Sequence, residues 1–120
     1  MKKILTISVI SLLGVALTTS AALASYGKNG KLAGYVKEYQ TLIPLAKSKV
    51  KLYNKSGNLK DTDTTSKKGK YSFSDLKEGT YRVKAKADGY RNPKDFKKDY
   101  VSKTVKVKGS DRKNLYLQKI

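Results

Sequence analysis

The sequence predicts an all-β fold, a seven-stranded antiparallel β sandwich preceded by a signal peptide. Three observations support this prediction. Short runs alternate apolar with polar residues, turn-forming residues separate these runs at short intervals, and no run keeps helical spacing long enough to compete. Each run has one apolar face, which suits two sheets packed over a single core.

Seven runs carry this alternation along the 120 residues of the chain. The run at 80–87 shows it most clearly, because Tyr81 and Val83 fall on one face while Arg82 and Lys84 fall on the other. The predicted strands cover residues 31–38, 48–54, 59–66, 70–74, 80–87, 100–108 and 114–118.

The segments between these runs are rich in turn residues. We expect tight turns at 55–58 and 67–70, where glycine follows lysine or serine. Leu76 lies in a longer connection and is expected to fold back onto the core. The longest irregular segment is 88–99, in which Pro93 cannot donate to a strand ladder.

The N-terminus has the features of an export signal. Lys2 and Lys3 precede a mostly apolar stretch, and Ala22 and Ala24 form the small-residue pattern that precedes a cleavage site. An uncleaved membrane anchor is the alternative, but the Thr and Ser content of the stretch argues against it. We therefore expect a secreted or cell-surface protein, cleaved near Ala24 and without a membrane span after cleavage. Its predicted parts are a signal peptide at 1–24, a flexible leader at 25–30 and one domain at 31–120.

The charge balance points to acidic partners. The chain has 27 Lys and Arg residues against 9 Asp and Glu, a net charge of +18. Such a surface attracts polyanions, among them envelope polymers such as teichoic acids, anionic lipid, acidic polysaccharide and extracellular nucleic acid. Few of the cations are arginine, so specific recognition of nucleic acid is not expected. The alternative is that the charge only keeps the protein soluble.

Candidate binding residues are the cations on the outward phase of the predicted strands. They are Lys49, Lys51, Arg82, Lys84, Lys86, Lys106 and Lys108. Tyr35, Tyr53 and Tyr116 also fall on outward phases among lysines. Such aromatic rings can bind sugars, although they are also ordinary residues of a sheet surface.

One long pattern resembles a known family. The chain has Gly69, Tyr71, Phe73, Leu76, Gly79 and Tyr81 in the spacing G-x-Y-x-F-x-x-L-x-x-G-x-Y, preceded by Gly34, Val36, Pro44, Val50 and Leu52 and followed by Gly89 and Tyr90. This pattern resembles the carboxypeptidase regulatory-like domain, in the transthyretin-like (prealbumin-like) group of β sandwiches, over residues 31–118. The resemblance implies that fold and an accessory module. It does not imply an activity.

The residue inventory disfavours catalysis. With no histidine and no cysteine, the chain lacks the residues of Ser-His-Asp and Cys-His nucleophile arrangements and of imidazole or thiolate metal sites. Asp61 and Asp63 could share a strand face, but two acids among many lysines are expected to pair with cross-strand lysines rather than bind a metal. We expect no enzyme, no metal and no cofactor.

Related pilin and adhesin domains form a covalent cross-link, in which a lysine is joined to an asparagine with the help of a buried acid. Lys37 and Asn114 lie in the first and last predicted strands. In that family the acid lies four residues after the tyrosine of the penultimate strand, and counting from Tyr81 gives Ala85 in this chain. Without the acid, the cross-link is not expected to form.

The sequence therefore favours an exported, non-enzymatic binding or structural module, whose lysine-rich faces contact anionic envelope polymer or another acidic partner. One alternative is a protein-interaction subunit or inhibitor of an exported enzyme, which would use an edge strand or residues 88–99. Another alternative is a carbohydrate-binding module.

Overall fold

The computed structural model describes residues 30–120, so the predicted signal peptide and residues 25–29 lie outside it. The described part contains nine strands and no helix. They are β1 (Gly30–Glu38), β2 (Lys49–Asn54), β3 (Leu59–Thr64), β4 (Lys70–Leu76), β5 (Gly79–Lys86), β6 (Tyr90–Arg91), β7 (Tyr100–Val107), β8 (Ser110–Arg112) and β9 (Leu115–Lys119). Within residues 30–120, no helix is long and apolar enough to cross a membrane.

The strands form the two sheets of a sandwich. One sheet has the order β3-β2-β5-β7, and all adjacent strands within it are antiparallel. The other has the order β4-β1-β9-β6, with β8 also paired to β1. The all-β sandwich is thus confirmed.

The predicted count of seven strands was wrong, because the structure adds β6 and β8. β6 lies in the segment predicted to be irregular, where Tyr90 and Arg91 pair with the end of β9. β8 pairs with β1 over Lys31–Ala33. Strands of two and three residues are too short to show alternation, which explains the miss. The prediction that all strands pair antiparallel was also wrong, because β8 and β9 both run parallel to β1.

The core lies between the sheets and contains the residues predicted to point inward. Leu32, Val36, Val50, Leu52, Val83, Leu115 and Leu117 are fully buried. Two tyrosines bury their rings and keep a partner for the hydroxyl: Tyr71 donates to the carbonyl of Lys113 at 2.5 Å and Tyr81 to that of Lys77 at 2.8 Å. Leu76 is buried as expected. The core therefore holds by packing and satisfied polar atoms.

Candidate functional site

The candidate site lies on the outer face of the sheet β3-β2-β5-β7. The register of β2 against β5 places Lys49 directly opposite Lys86 and Lys51 directly opposite Lys84. Side chains alternate along a strand, and the intervening residues of both strands fill the core. Burial of these apolar neighbours therefore forces all four lysines outward onto one surface.

A groove of about 450 Å³ lies between these lysines. We call it the basic groove. Its lining residues are Lys47, Lys49, Lys51, Lys84, Lys86, Ala87, Asp88, Asp99 and Tyr100. Five lysines against two aspartates make it a concave surface of strongly positive potential, the kind of surface that concentrates anions.

Two like-charge pairs lie at the centre of this groove. Residues directly opposite in an antiparallel ladder have Cβ atoms about 4.5–5.5 Å apart, so opposed lysines repel each other. In Lys49–Lys86 and Lys51–Lys84 this arrangement occurs in two successive rows of the same face. A bound anion would relieve the repulsion in both rows.

The nearby aspartates of β3 do not neutralise these lysines. Asp61 and Asp63 lie opposite the inward residues Leu52 and Val50 and so belong to the other face of the sheet. Asp63 instead accepts a hydrogen bond from the backbone N–H of Ser72 at 2.8 Å. The expected pairing of these acids with cross-strand lysines therefore does not form.

One carboxylate does reach the basic groove. Asp99 Oδ2 lies 2.9 Å from Lys86 Nζ, and both side chains are more than half exposed. The hydrogen bond from Lys86 lowers the pKa of Asp99, and the same contact raises the pKa of Lys86. Both groups therefore stay charged near neutral pH.

An aromatic ring completes the groove. Tyr100 lies opposite Lys86 at the start of β7. The ammonium of Lys84 lies 4.1 Å from the centre of the Tyr100 ring, and that of Lys98 lies 5.9 Å from it. The ring thus holds Lys84 over its face by a cation–π contact.

The structure brings together four of the seven predicted binding residues, Lys49, Lys51, Lys84 and Lys86. Arg82 lies next to them on the same face and donates to Ser102 Oγ at 3.1 Å. Lys106 lies opposite Thr80, toward the other end of the sheet. Lys108 follows the end of β7, and its backbone N–H donates to Asp111. The last two do not line the groove.

Sequence reasoning missed five residues of the groove lining, which are Lys47, Ala87, Asp88, Asp99 and Tyr100. Lys47 precedes β2 in a left-handed backbone conformation, with φ of 59°, so strand alternation could not place it. Asp99 closes a segment that was predicted to be irregular. Tyr100 follows the alternation of β7, because Val101 is inward, so its outward position was available from the sequence.

The other candidates lie elsewhere. Tyr35 and Tyr116 are on the second sheet, so they do not join Tyr53 in one aromatic surface. Asn114 is exposed, and its Oδ1 accepts from the backbone N–H of Tyr35 at 3.0 Å. Residues 30–120 contain no group of three His, Cys, Asp or Glu residues that could hold a metal ion.

Comparison with known families gives one match. The family model described as the carboxypeptidase regulatory-like domain matches residues 31–116. A comparison with curated protein sequences gives no match.

Solved structures with this fold include pilins. BcpA, the major pilin subunit of Bacillus cereus, matches with a TM-score of 0.62 at 12% identity, over 78% of this chain and 31% of that one. The group B streptococcus pilus 2b backbone protein matches with a TM-score of 0.61 at 20% identity, over 76% and 41%.

An enzyme shares the fold too. The 5-hydroxyisourate hydrolase of Klebsiella pneumoniae matches with a TM-score of 0.57 at 16% identity, over 70% of this chain and 85% of that one. The chain thus spans less than half of the two pilus proteins, and at these identities the three likenesses establish the fold alone.

Proposed function

Because this chain belongs to the carboxypeptidase regulatory-like domain family, we propose that it is an exported, non-enzymatic β-sandwich module that binds anionic polymer through the basic groove. The family consists mostly of accessory modules, and the pilins that share the fold are themselves called pilus subunits and backbone proteins. Both observations favour a structural or binding role at the cell surface over catalysis.

The observation that carries the proposal is the double row of opposed lysines. A sheet of this kind can place threonine, glutamine or an opposite charge at outward positions, and such pairs would stabilise it. Here the central strands β2 and β5 instead place Lys49 against Lys86 and Lys51 against Lys84. These like-charge pairs lower the stability of the fold at this face. Anion binding is the function that would account for them.

The chemistry of the groove favours polyanions in general over one defined small anion. Lysine is a compact charge on a flexible stem and lacks the planar fork with which arginine binds a single phosphate or carboxylate in two places. The five lysines of the groove are also spread along two strands and the segment before β2. A chain of repeated anionic groups suits this surface.

The test is binding of fluorescently labelled heparin, measured as a function of salt. We expect binding at about 50 mM salt that weakens steeply toward 200 mM, because electrostatic binding releases counterions. The double variant Lys51→Gln/Lys84→Gln should bind more weakly and make the log–log salt slope shallower by roughly 1.5, since each lost contact contributes about 0.7–0.9.

The matched control is Lys67→Gln/Lys68→Gln, which removes the same charge from the exposed turn between β3 and β4. We expect it to change the slope little. Equal effects of the two double variants would show that binding depends on net charge alone. Absence of heparin binding at low salt would overturn the proposal.

A second candidate function is supported by residues 88–99. Phe96 remains 60% exposed there, with the guanidinium of Arg91 lying 3.9 Å from the centre of its ring. An aromatic and an arginine held together at the surface are typical of the central residues of protein interfaces. If the chain is a protein-interaction subunit, a partner should remain bound at high salt and be lost on Phe96→Ser substitution, whereas Lys51→Gln/Lys84→Gln should leave it bound.

A further inference from the structure

Asp99 is the acid that contacts a lysine of the basic groove. Its Oδ2 lies 2.9 Å from Lys86 Nζ, and Lys84 also acts on its charge. Asp88 also lines the groove, but among residues 30–120 it forms no ion pair within 4.0 Å. The groove therefore has one lysine whose charge is already matched by a carboxylate of the same chain.

The Asp99 carboxylate contacts an ammonium group that an anionic ligand of the groove would also contact. Lys86 is the outward residue at the end of β5, where it lies between Lys49 of β2 and Tyr100 of β7. The Asp99 carboxylate reaches Lys86 from just before β7. An anion that bound Lys86 would compete with Asp99 for the same ammonium group.

We infer that Asp99 is an internal competitor, whose carboxylate occupies one anion subsite of the basic groove until a polymeric ligand displaces it. The inference rests on the proposed function. Displacement is easy because the ion pair is exposed, with 57% of the Lys86 side chain and 58% of the Asp99 side chain accessible. Exposed pairs of this kind contribute little to stability.

An internal competitor discriminates between classes of anion. A tethered carboxylate acts at an effective concentration in the millimolar range or above, so a single free anion that binds weakly cannot replace it. A polymer contacts the remaining lysines first, and its next anionic group then competes with Asp99 from an equally tethered position. The groove should therefore select chains of repeated anionic groups over free inorganic phosphate.

The experiment compares Asp99→Asn with Asp95→Asn. Both variants raise the net charge by one, and Asp95 pairs with Lys98 at 3.8 Å outside the groove lining. For labelled heparin, Asp99→Asn should raise affinity about two- to fivefold, the range set by an exposed ion pair. It should also steepen the salt slope by about 0.7–0.9, because Lys86 becomes free to bind the polymer. Asp95→Asn should change the affinity less and leave the slope unchanged.

A third variant, Lys86→Gln, distinguishes two effects of Asp99→Asn: the release of Lys86 from its ion pair and the rise in net charge. In a Lys86→Gln background, Asp99→Asn should have no more effect than Asp95→Asn, since the lysine that it frees is absent. Free inorganic phosphate should compete for heparin binding more effectively against Asp99→Asn than against the unmodified protein.

The outcomes are distinguishable from a failure of the proposed function. If the unmodified protein does not bind heparin at low salt, the proposed function itself fails. If it binds, but Asp99→Asn and Asp95→Asn have equal effects or the Asp99→Asn effect persists without Lys86, the competitor role is wrong while polyanion binding stands. Circular dichroism spectra that match the unmodified protein would confirm that each variant is folded.

Discussion

Lys49 lies directly opposite Lys86 on the outer face of the sandwich, and the next outward row repeats the arrangement with Lys51 and Lys84. Both strands are central in their sheet, so these positions are held by hydrogen bonds on either side. The backbone therefore keeps the two lysines of each row opposite each other. The clustered lysines lower the stability of this face, but the same positive charge favours binding of an anionic ligand.

Lys51→Glu should stabilise the free protein. The substitution converts a repulsive cross-strand pair with Lys84 into an attractive one, and such pairs contribute about 0.2–1 kcal/mol. Thermal unfolding at low salt should show a raised Tm. Lys68→Glu makes the same change of charge in an exposed turn and serves as the control. If Lys51→Glu raises Tm no more than this control, the opposed lysines do not destabilise the fold.

Much of the fold could be predicted from the sequence because alternation determines which face of a strand is buried. The run with Tyr81, Val83 and Ala85 inward is found as predicted, and so is the burial of Leu76. Alternation does not determine pairing. That β8 and β9 lie parallel to β1 follows from how the chain crosses between strands, and no local pattern encodes it.

The candidate site was predictable to the same extent. Alternation placed Lys49, Lys51, Lys84 and Lys86 outward, but only the register of β2 against β5 shows that they oppose each other in pairs. Asp99 comes from a segment without alternation, and the sequence offers no signal for its contact with Lys86. The sequence thus predicted four of the five lysines of the groove and missed Lys47 and the acid Asp99.

Gly34→Ala should destabilise the sandwich where β1 passes close to the backbone of Lys113. A Cβ at Gly34 would collide with the backbone carbonyl of Lys113 and come within 2.9 Å of the Tyr71 ring. Overpacking of this kind destabilises by about 1–3 kcal/mol or more, and here it also threatens the hydrogen bond from Tyr71 to Lys113.

The matched control for this substitution is Gly109→Ala. A Cβ at Gly109 meets no atom within 4 Å, and its backbone does not require glycine. The free energies of unfolding of the two variants, measured with denaturant, should therefore differ by most of the loss expected for Gly34→Ala. Similar midpoints for both would contradict the close approach of β1 to Lys113.

Thr65→Val should reveal a buried hydrogen-bonded link between the segment that precedes β2 and the end of β3. The Thr65 hydroxyl donates to the carbonyl of Leu45 at 2.6 Å and accepts from the backbone N–H of Ser48 at 2.8 Å. Valine keeps the shape but leaves the buried Ser48 N–H without its acceptor, whereas the Leu45 carbonyl keeps the Ser48 hydroxyl as a donor at 3.1 Å. The loss should be about 1–3 kcal/mol in the free energy of unfolding.

Thr62→Val provides the comparison for Thr65→Val, because Thr62 is exposed on β3. Valine suits an exposed strand position at least as well as threonine, so its effect should be near zero. Urea unfolding measures both variants. Equal losses of stability would mean that the Thr65 hydroxyl does not support Leu45 and Ser48.

Glu38 should make the stability of the turn after β1 depend on pH. The Glu38 side chain is buried, and its Oε1 accepts from the hydroxyl of Thr41 at 2.6 Å and from the Thr41 backbone N–H at 2.7 Å. These bonds, the hydroxyl first, lower the pKa of Glu38. A glutamate in the unfolded chain titrates near 4.3, so the folded protein holds this proton less tightly than the unfolded one.

The sign of the effect follows from that order of pKa values. The stabilisation from Glu38 is complete above about pH 4.3 and is lost as the pH falls through the lower pKa of the folded state. Glu38→Gln should therefore lower the stability at neutral pH and flatten the loss of stability between neutral pH and strong acid. Glu78→Gln changes the charge equally at an exposed position and is the control. Thermal unfolding across this pH range tests the prediction, and parallel pH profiles for Glu38→Gln and the unmodified protein would contradict it.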